Sequence, residues 1–184
     1  MAFWSGFTRG LLLVGFLLAG VSWIAIAGLA KRPFERFRTS TYEFELIDGW
    51  KCRLDGTEYI CVYGNEDERR QAILVMASKV RGAIDTFEAY IKHLKTPRVL
   101  TNEDGKSIQS KILRVGRRRV GRYEWVEGLH IGSEISTYRT HYFATVTSHL
   151  AVLITFSVHR DYVTKFEPQF AHMIETLRIF QREY

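Results

Sequence analysis

Between Gly10 and Ala30 the chain reads GLLLVGFLLAGVSWIAIAGLA, 21 residues without a charge. A helix needs ~20 such residues to cross a hydrocarbon core, so residues 1–30 are read as an N-terminal membrane anchor. The alternative is a signal peptide cleaved near Ala27, since Ala25-Ile26-Ala27 satisfies the A-x-A rule. The run is longer than the ~7–15-residue apolar core usual in such peptides, which favours retention. Residues 31–40, KRPFERFRTS, are read as a basic linker, whose Lys31, Arg32, Arg36 and Arg38 are candidates for contact with lipid phosphates at the membrane flank.

Past the linker the period shortens to two. Tyr42, Phe44 and Leu46 alternate with Glu43 and Glu45, a strand that stops at Asp48-Gly49. The stretch WKCRLDGTEYIC (50–61) reads as a hairpin turning at Gly56-Thr57, and QAILVMASKV (71–80) as a buried strand. The period then becomes helical. In IDTFEAYIKHLK, Phe87, Tyr90, Ile91 and Leu94 share one face, Asp85 with Glu88 forms a capping-box variant, and Thr96-Pro97 ends the helix.

After the polar loop TNEDGKS, residues 108–132 predict a bent hairpin turning near Val120-Gly121. TYRTHYFATVTSHLAVLITFSVH predicts two long strands turning at about Thr147–His149. The last segment predicts a helix with Phe166, Phe170, Ile174 and Leu177 inward and Pro168 in its first turn, where a missing N–H costs nothing. Runs of antiparallel strands with two helices interposed define an α+β layered sandwich. The organisation is therefore an anchor at 1–30, a linker at 31–40 and one domain at 41–184.

Charge and cysteines bear on orientation. The formal net charge is +6 over 184 residues, nearly all of it beyond the anchor. Lys31, Arg32, Arg36 and Arg38 outnumber Arg9 and the α-amino group on the other flank, which by the positive-inside rule places the domain in the cytoplasm. Cys52 and Cys61, the two cysteines of the chain, argue the other way. With Gly56-Thr57 as a type II′ loop, Asp55 faces Glu58, Leu54 faces Tyr59, Arg53 faces Ile60 and Cys52 faces Cys61 at a non-hydrogen-bonded pair, within disulfide reach. A zinc site lacks a second Cys/His pair and a redox site would favour C-x-x-C. A cross-strand disulfide is the favoured reading, with two reduced, half-buried cysteines as the alternative. Such a bond persists in an oxidising compartment, so the expected location is a bacterial inner membrane, single-pass, with the main domain periplasmic.

The stretch FELIDGW (44–50), the central helix after a buried strand, and the finish AVLITFSVHRDYVTKFEPQFAHMIETLRI (151–179) resemble the PsbP-like α/β/α sandwich superfamily. It includes the photosystem II extrinsic protein, a Ran-binding nuclear import factor and bacterial exported proteins and lipoproteins of unassigned role. The resemblance covers about residues 41–180 and implies an antiparallel sheet with two main helices. It also implies a domain that binds other proteins and is not an enzyme. It supplies no catalytic residues, and the lipobox cysteine of the bacterial lipoproteins is missing here, so the helix itself would be the anchor.

The residues offer no reaction of their own. The six histidines form no H-E-x-x-H, H-x-H or Glu-x-x-His spacing. His130 is expected near Glu127 or Glu134, and His141 and His149 fall in one hairpin. No G-x-S-x-G elbow, P-loop or dinucleotide fingerprint occurs. No cofactor or metal is expected. What stands out is RVGRRRVGRYEW, where Arg114, Arg117, Arg118, Arg119 and Arg122 crowd one hairpin end. They are candidates for a protein partner or an anionic surface. Nucleic acid is disfavoured, because stacking needs exposed aromatics and Tyr123 and Trp125 share the parity of the core. The expected function is an accessory subunit of a membrane-associated assembly, the partner being a protein in that complex and the bilayer held through residues 10–30. The alternative is a periplasmic small-ligand binding or sensor domain.

Overall fold

In the computed structural model the described residues are 34–65, 71–101 and 105–180. The apolar run at 10–30, with Lys31 and Arg32, lies outside them. Among the described residues no helix is long and apolar enough to cross a membrane.

The strands are β1 (Glu35–Arg38), β2 (Tyr42–Leu46), β3 (Trp50–Asp55), β4 (Glu58–Tyr63), β5 (Ala72–Val80), β6 (Val99–Thr101), β7 (Ser107–Gln109), β8 (Lys111–Val120), β9 (Tyr123–Ile131), β10 (Tyr138–Val146), β11 (Leu150–His159) and β12 (Arg178–Ile179). The helices are α1 (Phe87–Leu94) and α2 (Val163–Thr176), the latter preceded by a 3₁₀ turn at Arg160–Tyr162. A seven-stranded antiparallel sheet has the order β3-β4-β5-β11-β10-β9-β8, and β1, β2 and β12 form a second, three-stranded sheet.

Strand alternation divides the core between the faces of the large sheet. On one face Leu74, Met76, Trp125, Phe143, Val152, Ile154 and Phe156 pack with Phe166, Phe170 and Ile174 of α2 and with Tyr42 and Phe44 of β2. On the other, Val126, Tyr142, Ala144 and Leu153 pack with Leu94, Tyr90 and Phe87 of α1. The layers are thus α1, the large sheet, then α2 with the small sheet: an α+β sandwich with two helices.

The β3–β4 hairpin has the expected register, with Cys52 opposite Cys61 and the two bonded as a disulfide. Gly56 has φ +61° and Thr57 a negative φ, as a type II′ turn requires. The turns at Gly121-Arg122 and Thr147–His149 also fall where expected.

Three local readings are corrected. Residues 35–38 are not linker but strand β1, because FERFR hides an alternation: Phe37 packs on Phe44 and Tyr59, each 5.3 Å away between ring centres. Arg36 and Arg38 stand opposite Glu45 and Glu43. Arg36 reaches Glu43 at 3.0 Å and Arg38 reaches it at 3.6 Å, so cross-strand carboxylates already occupy both guanidinium groups.

The cap of α1 is Thr86, whose hydroxyl accepts from the Ala89 amide at 3.1 Å. Asp85 is drawn inward instead, accepting from the Gly82 amide and the Tyr90 hydroxyl, each at 2.7 Å. Pro168 is the sixth residue of α2, not in its first turn, because the helix begins at Val163 directly after the 3₁₀ turn. The carbonyl it leaves without a helical donor belongs to Thr164, on the solvent side of the helix.

Candidate functional site

The β8–β9 hairpin carries the arginine cluster, and its geometry begins at the turn. Gly121 has φ +57°, and a Cβ placed there would stand 2.7 Å from the Glu175 carbonyl oxygen. Only glycine permits that backbone conformation and so close an approach to the end of α2. Tyr123 then accepts a hydrogen bond from the Ile179 amide at 2.8 Å, and Trp125 is fully buried. The hairpin is pinned to α2 and β12 at its tip, with its arginines left outside.

Those arginines are not one patch. Arg114 and Arg118 lie on the α2 face, where with Arg139 and His141 of β10 and Glu127 of β9 they border a cavity of about 280 Å³. Arg117 lies on the α1 face, ion-paired with Glu88 of α1 and 3.5 Å from Glu124, its guanidinium 4.9 Å above the Phe87 ring. Arg119 shares the parity of Arg117, and Arg122 sits in the turn; both are exposed.

Glu127 organises the α2 side. It is 3% exposed, accepts from Arg114 at 2.7 Å, and has Arg118 and His141 each at 3.7 Å. Burial pushes its carboxyl pKa up, but the adjacent His141, the hydrogen bond from Arg114 and the charges of Arg114 and Arg118 outweigh it, holding the group at about 2. Beyond it His141 meets Glu167 at 3.1 Å, and Arg139 stands 3.3 Å from the same carboxylate. The three arginines thus share two carboxylates, Glu127 and Glu167, which leaves the α2 side with an excess of positive charge.

On the opposite face, between α1 and the sheet, lies a cavity of about 400 Å³ with Leu94, Ala144 and Leu153 in its wall and Asp85, Tyr90 and Lys79 at a polar corner. Asp85 is 3% exposed and meets Lys79 at 2.8 Å. Hydrogen bonds from Lys79, Tyr90 and the Gly82 amide hold its carboxyl at about 2, and burial with Asp85 beside it pushes the Tyr90 hydroxyl well up. Sequence reading assigned Asp85 to the helix cap; only packing reveals it as the centre of this corner.

Asp85 and Glu127 are both depressed below their ordinary 3.8 and 4.5. The stabilisation they confer is therefore present above about pH 4.5 and is lost as pH falls towards about 2. Glu127 is expected to contribute on the order of 1–2 kcal/mol, discounted because its arginine partners are half in water. Thermal melts across that window should show a steep acid limb that E127Q and D85N each flatten; an unchanged slope in both variants would refute it.

The histidines do not converge. His141 is buried between carboxylates, whereas His149 is exposed at the β10–β11 turn. His130 points to the α1 face, away from Glu127. It is 1% exposed, with its ring 5.1 Å from that of Tyr142 and neither nitrogen in a hydrogen bond of good geometry. Burial pushes its pKa down. Among the described residues no group of three His, Cys, Asp or Glu side chains is placed to hold a metal ion.

In fold alone, this sandwich is similar to solved structures that include a PsbP. Cyanobacterial PsbP (CyanoP) from Synechocystis superposes with a TM-score of 0.55 at 12% identity over 83% of this chain and 96% of its own. LpqN of Mycobacterium tuberculosis, a protein involved in cell envelope biogenesis, does so at 0.53 with 11% identity over 83% and 88%. A Bacteroides thetaiotaomicron protein gives 0.57 at 16% identity over 83% of this chain and 52% of its own, so the chain spans about half of that protein's length. No family model matches the sequence, and no curated protein matches it.

Proposed function

We propose that this domain is a non-enzymatic protein-interaction module, held at a membrane by residues 10–30 on the extracytoplasmic side, and an accessory subunit of a membrane-associated assembly. The observation that carries the reading is the surplus of exposed cations on the β8–β9 hairpin. From Lys111 to Arg122 there are six cations, and only Glu88, Glu124 and Glu127 ion-pair with them among the described residues. Lys111, Arg119 and Arg122 have no carboxylate partner among those residues. Such groups contribute most when a partner desolvates them, and arginine is enriched at binding hot spots. The disulfide suits an oxidising compartment, and the involvement of LpqN in cell envelope biogenesis is in keeping with that setting.

Arg119 and Arg122 make the clean test, since Arg117 also holds α1. The tagged full-length protein, purified in mild detergent from its native membranes, is expected to bring a stoichiometric protein partner. R119S/R122S is expected to lose that partner by tenfold or more in recovery, about 1.4 kcal/mol, with its melting temperature unchanged. Equal recovery would remove the hairpin from the interface.

A second reading, a small-ligand carrier or sensor, is favoured by the cavity beside Asp85, whose apolar wall and convergent polar corner fit the usual form of a ligand site. It predicts a protein that purifies alone and gains thermal stability with a ligand.

A further inference from the structure

We propose that the outer edge of β8, from Arg114 to Val120, is a strand-addition site for an extended acidic segment of the protein partner. The proposal rests on the interaction reading above and names its mode. β8 is the terminal strand of the seven-stranded sheet, and none of its residues bonds through the backbone to anything but β9 among the described residues. Counting from the two-residue turn at Gly121-Arg122, Val120 and Tyr123 form the hydrogen-bonded closing pair. Val115, Arg117 and Arg119 therefore turn their N–H and C=O groups away from β9. A register shift between Ile112 and Arg114 ends regular pairing at one end, and the pinned Gly121 ends it at the other. The free edge is about seven residues long.

The charges select the occupant. A bare edge this long invites unwanted strands, and like-charged side chains are a common guard. A second copy of β8 would set arginine against arginine and is repelled, whereas an acidic strand is attracted. The placement of the arginines on both faces decides between a protein and a lipid surface. Arg114 and Arg118 point to the α2 side, Arg117 and Arg119 to the α1 side. A flat bilayer meets both sets only with the sheet standing on edge, and it offers the outward N–H and C=O groups no backbone partner. A strand added in the plane of the sheet runs between the two sets and offers carboxylates to both, while its backbone satisfies the outward groups.

The probe is an acetylated, amidated peptide, Thr-Glu-Glu-Val-Glu-Glu-Val-Thr, against the full-length protein in mild detergent. Its control is the same peptide N-methylated at two adjacent central residues, which blocks both edges and keeps the charge. The parent peptide is expected to bind and to slow deuterium uptake over residues 114–120. The methylated peptide is expected to bind at least tenfold more weakly, the loss of one to two net hydrogen bonds, and R119S to weaken the parent peptide.

Equal binding of both peptides, no slowing at 114–120, or no binding at all would overturn strand addition. So would slowing at 114–120 without peptide in phosphatidylglycerol nanodiscs, which would assign the arginines to lipid. If R119S/R122S still loses the natural partner while the peptides behave alike, the interaction reading stands and the edge mode falls. If the variant keeps the partner, the interaction reading falls.

Discussion

Phe156→Ala is expected to destabilise the domain by about 3–5 kcal/mol, more than any other substitution proposed for this chain. Phe156 is fully buried at the centre of β11. Its ring stacks on Phe170 of α2 at 4.5 Å with planes 6° apart, and Trp50 and His141 approach at 6.4 and 6.1 Å. Among the described residues no other strand of the large sheet has a ring stacked face to face on α2. Truncation removes the transfer free energy of the ring and leaves a cavity whose walls are large aromatics on different elements. Those elements cannot collapse into it without moving the helix. Part of the loss is the aromatic pairing itself, worth about 0.5–1.5 kcal/mol beyond area. Urea unfolding should show a lower midpoint with an unchanged slope, and Phe156→Leu should cost under about 2 kcal/mol. A loss below about 1 kcal/mol for the alanine variant would mean that α2 is not held at this point.

Removal of the staple comes second. C52A/C61A, or reduction of the intact chain, is expected to cost about 2–3 kcal/mol by the loop-closure argument for a separation of nine residues. The effect should be local before it is global. β3 is the other terminal strand of the large sheet, and its inner anchor is Trp50, 4% exposed, whose indole N–H donates to Gln169 of α2 at 2.8 Å. With the staple gone, β3 frays from that edge, so deuterium uptake over residues 50–55 should rise before the rest of the sheet responds. Intact mass with and without reductant is the companion measurement. A species already two protons heavier before reduction would refute the bond and weaken the case for an oxidising compartment.

The two ends of the sheet are managed differently. At β3, six residues long, the strand is held to its neighbour by the disulfide, which leaves its outer backbone groups open. At β8 the edge is long and defended by charge. A covalent tie adds nothing to recognition, whereas a row of cations both repels and selects. That asymmetry is why the interaction reading is placed at β8.

Sequence alone settled the features whose causes are local. The turn at Gly56-Thr57 sets the hairpin register, because a one-residue slip would send every side chain to the opposite face. The spacing of Phe87, Tyr90, Ile91 and Leu94 sets α1, and the inward positions of the last helix were legible for the same reason. Tertiary structure decided the rest. β1 and β12 are strands of four and two residues that exist only because β2 lies between them to pair with, and a neighbour distant in sequence leaves no periodic signal. Asp85 carries the signature of a cap, yet three donors from separate positions pull it into the cavity corner. The five arginines read as one cluster because they are contiguous along the chain. A strand sends alternate side chains to opposite faces, so folding parted them: two toward Glu127, one toward Glu88, and Arg119 and Arg122 left to water. Composition counts charge, and only the pleat of the sheet decides which charges are already spent.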